Sequence, residues 1–246
     1  MLQTHWTVPT EFPSLQPDHV HVWLLDLQLS PDRIAELSSH LDPEELVRAG
    51  RYHFEKHRRR FIACRCQTRE ILARYLQSDP RQLTFDYGPQ GKPALSAPWN
   101  STQLEFNVSN SEELALIAVT WKRPLGVDLE YIKPPHDYDA IARQFFAPEE
   151  IAVLDTLTGD ARLAGFFDCW TRKEAVLKAV GVGLSVPLNQ VVVSVTPGAP
   201  AAVLKFQNQA GHQSAWWMQS LDPHSAYAAA IAAVGSPLQP QCWLWT

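Results

Sequence analysis

The sequence predicts an α+β fold of two lobes of near-equal size. The chain has 246 residues, room for one large domain or two small ones at roughly 100–200 residues each. It is 46% hydrophobic and 19% charged with a net charge of −5, the balance of a globular protein with a sizeable core rather than of a disordered or collagen-like chain. On either side of about Trp121 the pattern runs in one order: a strand, then helices, then antiparallel strands. No repeat is visible residue by residue. The turn at 122–125 sets the expected boundary, giving an N-terminal lobe over 1–121 and a C-terminal lobe over 122–246.

Residues 19–27 alternate and end in an apolar run, as a strand does. Ser30-Pro31 supplies N-cap and first-turn chemistry for a helix, and a second short helix follows Asp42-Pro43. Over 55–76, Phe61, Ile62, Cys64, Ile71, Leu72 and Leu76 mark a long amphipathic helix. Short strands are expected at 82–85 and 104–108. Residues 114–120 and 125–131, with Lys122-Arg123-Pro124 between them, read as a hairpin. From Asp137 the pattern turns helical: around 139–146, again from Pro148 with Glu149 and Glu150 in the first turn, and over about 160–180, ended by Gly181 and Gly183. β-rich runs follow at 191–195, 202–206, 215–218 and 227–234.

Net negative charge argues against bulk attachment to nucleic acid or membrane. The N-terminal MLQTHWTVPTEF lacks the basic and apolar regions of a secretory signal. The longest apolar stretches, 114–121 and 226–234, fall short of the roughly 20 residues that span a bilayer. Cys64, Cys66, Cys169 and Cys242 include one C-x-C pair without metal-type partners and read as buried, reduced thiols of a cytoplasmic protein. One local excess stands out: nine Lys and Arg against two acids between Arg48 and Arg74. It is either a solvated helix face or a contact for an anion.

Four segments could carry chemistry. In Gly126-Val127-Asp128-Leu129-Glu130, a strand points Asp128 and Glu130 away from Leu125, Val127 and Leu129. Two adjacent carboxylates suit a hard cation such as Mg²⁺, or simply face solvent. On a helix, Trp170, Glu174 and Lys178 are successive i, i+4 neighbours. Glu174 and Lys178 are then a surface ion pair of about 0.3–0.5 kcal/mol, or a third carboxylate for the metal and a cation for a phosphate. Gly91-Lys92-Pro93 puts an ammonium on a turn tip, and Asn107-Val108-Ser109-Asn110-Ser111 gathers small polar side chains able to hold phosphate oxygens. Each of these last two is also ordinary turn composition.

Taken in order, Gly91-Lys92-Pro93, Phe106-Asn107-Val108-Ser109-Asn110-Ser111, Gly126-Val127-Asp128-Leu129-Glu130 and Trp170-x-x-Lys173-Glu174-Ala175 with Lys178 resemble the 4′-phosphopantetheinyl transferases of the long, surfactin-synthetase-activating type. The resemblance extends more faintly to Arg48-x-x-Arg51-Tyr52 and Arg60, and to Gly183-Leu184-Ser185-Val186-Pro187-Leu188. It implies two similar α/β lobes in a pseudo-twofold arrangement with the active site in the cleft between them. It also implies transfer of the 4′-phosphopantetheine arm of coenzyme A to a serine of an apo acyl or peptidyl carrier protein, releasing 3′,5′-ADP. By the family pattern Asp128, Glu130 and Glu174 ligate Mg²⁺, Glu174 is the base for the serine, and Lys178 holds the phosphate beside the bond that breaks. Lys92, Pro93, Ser109 and Asn110 contact coenzyme A, and Arg48 and Arg60 lie near its 3′-phosphate. A monomer is expected, since the second lobe already closes the cleft.

One position departs from the pattern. The family usually has His after the second motif's first Ser, and this chain has Asn110, which donates a hydrogen bond but carries no charge. Two other readings stay open at the level of sequence. A Mg²⁺-dependent hydrolase of coenzyme A or a related nucleotide would use the same carboxylates on water, and a non-catalytic module would hold RNA or an acidic protein on the basic helix. The scattered aromatics and the lack of an RNA-binding motif oppose the module.

Overall fold

The computed structural model describes residues 4–133, 137–181, 186–196, 198–206 and 215–246. The first half runs β1 (Trp6–Thr7), β2 (His19–Asp26), α1 (Pro31–Leu37), α2 (Pro43–Gly50), α3 (Glu55–Leu76), β3 (Phe85–Tyr87), β4 (Pro93–Leu95), β5 (Leu104–Ser111) and β6 (Leu114–Trp121). The second runs β7 (Leu125–Tyr131), α4 (Tyr138–Phe145), α5 (Pro148–Leu154), α6 (Gly159–Val180), β8 (Val191–Val193), β9 (Val203–Phe206), β10 (Trp216–Leu221), β11 (Tyr227–Val234) and β12 (Gln239–Leu244). The helix starts follow their caps. Ser30 accepts from the Arg33 N–H at α1, and Asp42 and Glu45 form a reciprocal capping box at α2. Gly181, at φ 71°, ends α6 in the left-handed conformation that a residue without Cβ adopts freely. Gly183, the other expected stop, lies outside the described residues.

Two sheets carry the architecture, one ordered β1-β12-β2-β6-β5 and the other β10-β11-β7. Without β1 and β12, the first reads β2-β6-β5 and the second β7-β11-β10. Corresponding strands of the two halves therefore hold corresponding places, and each half adds one 22-residue helix, α3 or α6. The period-2 pattern of the strands separates three cores. Trp23, Leu25, Ala115, Ile117 and Val119 pack toward α3. Val20, Val22, Leu116 and Ala118 meet Leu125, Val127, Leu129 and Ile231 between the sheets. Val176, Leu177, Ala230 and Ala232 lie in a third core built around α6.

Three expectations change. β6 and β7 form no hairpin: β2 and β5 already occupy both edges of β6, so β7 leaves the first sheet and pairs with β11. Lys122, at φ 60°, and Pro124, which has no N–H to offer a ladder, make the break. The strand expected at 82–85 begins only at Phe85, because Pro80–Gln82 close a 3₁₀ turn. Third, the chain returns across the boundary expected at 122. β12 runs parallel beside β2 and with β1 makes the first sheet mixed rather than wholly antiparallel. Pro237 and Pro240 hide β12 from a reading by pattern.

β7 lies hard against α6. A Cβ on Gly126 would stand 2.1 Å from the Ala175 carbonyl oxygen and 2.5 Å from the Ala179 nitrogen, both backbone atoms unable to yield. Gly126→Ala therefore costs about 3 kcal/mol or more by overpacking, read as a lower urea midpoint; a variant within about 0.5 kcal/mol of the parent would refute this packing.

All four cysteines are buried and unpaired. Burial pushes the Cys64 thiol up to about 11 and those of Cys66 and Cys242 to about 12. A thiol-specific reagent at pH 8 should leave the native protein unlabelled and titrate all four cysteines only after unfolding; rapid labelling of the native state would contradict this burial.

Candidate active site

The site is built where an edge of each sheet meets the other. β5 ends its sheet and β7 ends the second, and their backbones are joined by side chains. Asn107 Oδ1 accepts from the Val127 N–H (2.9 Å), Ser109 Oγ from the Leu129 N–H (3.2 Å) and Ser111 Oγ from the Tyr131 N–H (3.0 Å). Alternation along β5 aims these three side chains at β7 and leaves Val108 and Asn110 to line a cleft on the other side, which Ser111, at the end of the strand, also borders.

On β7 the same alternation turns Asp128 and Glu130 away from the inter-sheet core, as the sequence predicts. Asp128 is 2% exposed, which removes the solvent-facing alternative. Its Oδ1 accepts from Ser109 Oγ at 3.0 Å and from Lys178 Nζ at 2.5 Å, while its buried Oδ2 has no hydrogen-bond partner. Glu130 Oε2 accepts from Ser111 Oγ at 3.0 Å. Burial raises the pKa of the Glu130 and Glu174 carboxyls, and the charge of Asp128 raises each further. Lys178 opposes both shifts. Among the described residues no group of three or more His, Cys, Asp and Glu is gathered closely enough to hold a metal ion as placed. The donor set nonetheless suits a hard cation: three mutually repelling carboxylates, one with a buried oxygen that nothing satisfies.

Beside this cluster lies a cleft of about 500 Å³ whose lining includes Arg48, Arg60, Pro93, Asn110 and Ser111. Arg48 stacks over the Phe61 ring at 5.4 Å and, among the described residues, has no carboxylate within 4 Å. Arg60 is engaged by Glu112, at 2.7 Å, and by Glu113. Arg51 is exposed and outside the lining. Two residues expected to contact coenzyme A, Lys92 and Ser109, are not in the lining of this cleft. Lys92 turns inward and donates to the backbone carbonyls of Lys178 (2.7 Å) and Leu125 (3.1 Å), and its burial lowers its pKa. The Ser109 hydroxyl gives its one proton to Asp128 and takes hydrogen bonds on both lone pairs from Leu129 and from Lys178, at 2.8 Å. Both therefore serve the junction, because each finds strong partners there.

Other motif residues are structural. Trp170 packs with Phe145, Phe146 and Phe166. Lys173 is fully buried, paired with Glu150 at 2.6 Å and donating to the Leu188 and Val191 carbonyls, so it ties α6 to α5 and β8. The basic helix is only in part a solvated face: Lys56, Arg58 and Arg74 are exposed, whereas Arg65 and Arg69 are buried against Glu45, and Arg65 also donates to Tyr87 at the cleft wall. Asn107 and Ser111, which the sequence offers only as members of a polar cluster for phosphate oxygens, instead join β5 to β7, as their alternation with Ser109 allows, and nothing in the sequence singles out Arg65. Of the Gly183 to Leu188 motif, residues 183–185 lie outside the described residues.

Residues 28–122 match the model of the 4′-phosphopantetheinyl transferase N-terminal family, and residues 124–232 match that of the 4′-phosphopantetheinyl transferase superfamily. The chain is 39% identical over 243 residues to the 4′-phosphopantetheinyl transferase HetI of a Nostoc species, covering 99% of each. It is 27% identical over 165 residues to the 4′-phosphopantetheinyl transferase Sfp of Bacillus subtilis, covering 67% of this chain and 71% of that one. With a full-length relative at that identity and both halves matched, the chain belongs to the 4′-phosphopantetheinyl transferase superfamily.

Proposed function

We propose that this protein moves the 4′-phosphopantetheine arm of coenzyme A to a serine hydroxyl of an apo acyl or peptidyl carrier protein and releases 3′,5′-ADP, with Mg²⁺ held by Asp128, Glu130 and Glu174. The observation that carries the reading is the charge at the junction: three carboxylates face one ammonium, Lys178, and Asp128 keeps a buried oxygen free. When bound, Mg²⁺ supplies charge neutralisation at the pyrophosphate.

The serine oxygen bonds to the phosphorus that bears the pantetheine arm, the bond from that phosphorus to the bridging oxygen breaks, and 3′,5′-ADP leaves with the electron pair. Glu174, whose pKa is raised by burial and by Asp128, takes the serine proton, directly or through a water. Lys178 lies against Asp128 and donates to the phosphate being transferred. Arg48 holds the 3′-phosphate in the cleft as the cation without a carboxylate partner there, and Asn110 donates a neutral hydrogen bond to a phosphate oxygen. Membership of a transferase family speaks against hydrolysis of coenzyme A. Among the described residues no helix is long and apolar enough to cross a membrane. The deciding experiment is incubation with coenzyme A and Mg²⁺, with and without an apo carrier protein, and mass spectrometry of the products. Gain of the phosphopantetheine mass by the carrier is expected; consumption of coenzyme A without a carrier would overturn the reading.

Asp128→Asn and Glu174→Gln keep volume and remove charge, so each should lower kcat about a hundredfold or more while melting near the parent temperature. Normal turnover of either variant at limiting Mg²⁺ would remove that residue from the machinery. Asn110→Ala should raise the Michaelis constant for coenzyme A by about 1.5–3 kcal/mol in free-energy terms, with Asn110→His keeping activity; unchanged coenzyme A kinetics in Asn110→Ala would make this residue part of the turn alone.

The pH dependence has a definite sign. Glu130 and Glu174 bind protons more tightly folded than unfolded, so without metal their contribution to stability falls as pH rises through the carboxylate range. A divalent cation replaces those protons. The Mg²⁺-induced rise in Tm should therefore be larger at pH 7 than at pH 5, and a rise independent of pH would place the metal elsewhere.

A further inference from the structure

Asn107, Ser109 and Ser111 meet the N–H groups of Val127, Leu129 and Tyr131 at a constant offset in sequence, and the two serines do a second thing. Each hydroxyl that accepts from one backbone N–H donates to the carboxylate of the residue before it, Ser109 to Asp128 and Ser111 to Glu130, both at 3.0 Å. Asp128 has a second tie in Lys178. Glu130 has a longer side chain, is only partly buried, and among the described residues has no Lys, Arg or His within 4 Å. A glutamate has three side-chain torsions to fix, and the Ser111 hydroxyl, anchored on the Tyr131 N–H, is the described donor that fixes them.

We propose that Ser111 is a positioning residue that holds the Glu130 carboxylate toward Asp128 and Glu174, so that the metal meets a ligand already oriented. The inference rests on the reading of these carboxylates as the Mg²⁺ site. Partners that orient a metal ligand are commonly needed for affinity. Ser111 also lines the coenzyme A cleft, so the same residue joins the metal cluster to the substrate wall.

The test is titration of the full chain with Mn²⁺, followed by electron paramagnetic resonance of the free ion, in the parent, Ser111→Ala, Ser111→Thr, Glu130→Gln and the Ser111→Ala/Glu130→Gln double variant. Ser111→Ala should weaken Mn²⁺ binding about tenfold, and Ser111→Thr, which keeps the hydroxyl, should stay within about threefold of the parent. In the Glu130→Gln background Ser111→Ala should add less than about twofold, because its target is gone. A purely structural serine would lower Tm and leave this pattern unmoved. Should Ser111→Ala melt below the assay temperature, Ser111→Cys, which keeps size and weakens the hydrogen bonds, gives the same ordering. Weakening by Glu130→Gln with none from Ser111→Ala, or equal weakening by Ser111→Ala in both backgrounds, overturns the inference alone. Unchanged Mn²⁺ affinity in Glu130→Gln overturns the metal reading of Glu130 together with it.

Discussion

Two sheet edges that would otherwise carry buried, unpaired backbone groups are closed against each other by side chains. The N–H groups of Val127 and Leu129 lie in the interior, where an unpaired donor would be costly. Asn107 and Ser109 satisfy them, and Ser111 does the same for Tyr131 near the surface. This fixes the register of one half on the other. Because strand side chains alternate with period 2, a slip of one residue would turn Asp128 and Glu130 into the apolar layer and Val127 and Leu129 toward α6. The position of the carboxylates and the union of the halves are thus one constraint.

A second close approach supplies the rest of the cluster. Gly126 lets β7 settle on the backbone of α6 beside Ala175 and Ala179, which sets the Glu174 and Lys178 positions of that helix next to Asp128. Lys92 reinforces the contact from the first half by donating to carbonyls at the start of β7 and near the end of α6. The cluster so assembled combines groups from β5, β7 and α6, and a charge imbalance that favours a cation.

Much of this is written locally in the chain. Alternation in 125–131 gave the division between Val127 and Leu129 on one face and Asp128 and Glu130 on the other, and the caps at Ser30, Asp42 and Gly181 set their helices. What local pattern could not carry was partnership. The hairpin between β6 and β7 was plausible from turn composition, but both edges of β6 were taken by strands distant in sequence. Lys92 and Ser109 read as phosphate contacts by residue type; only the approach of β7 and α6 shows that their hydrogen bonds go to Leu125, Lys178 and Asp128. The basic run reads equally as a solvated face or an anion contact until Glu45, itself part of a helix cap, is seen buried between Arg65 and Arg69.

Amide hydrogen exchange of β7, read residue by residue, tests the junction most directly. The N–H groups of Val127 and Leu129 have no strand beside them to accept, so their protection depends on Asn107 and Ser109. The account predicts that both exchange as slowly as the β11-paired amides of the same strand, and that Ser109→Ala speeds Leu129 selectively. Exchange of Val127 and Leu129 at the rate of open edge amides in the parent protein would contradict it.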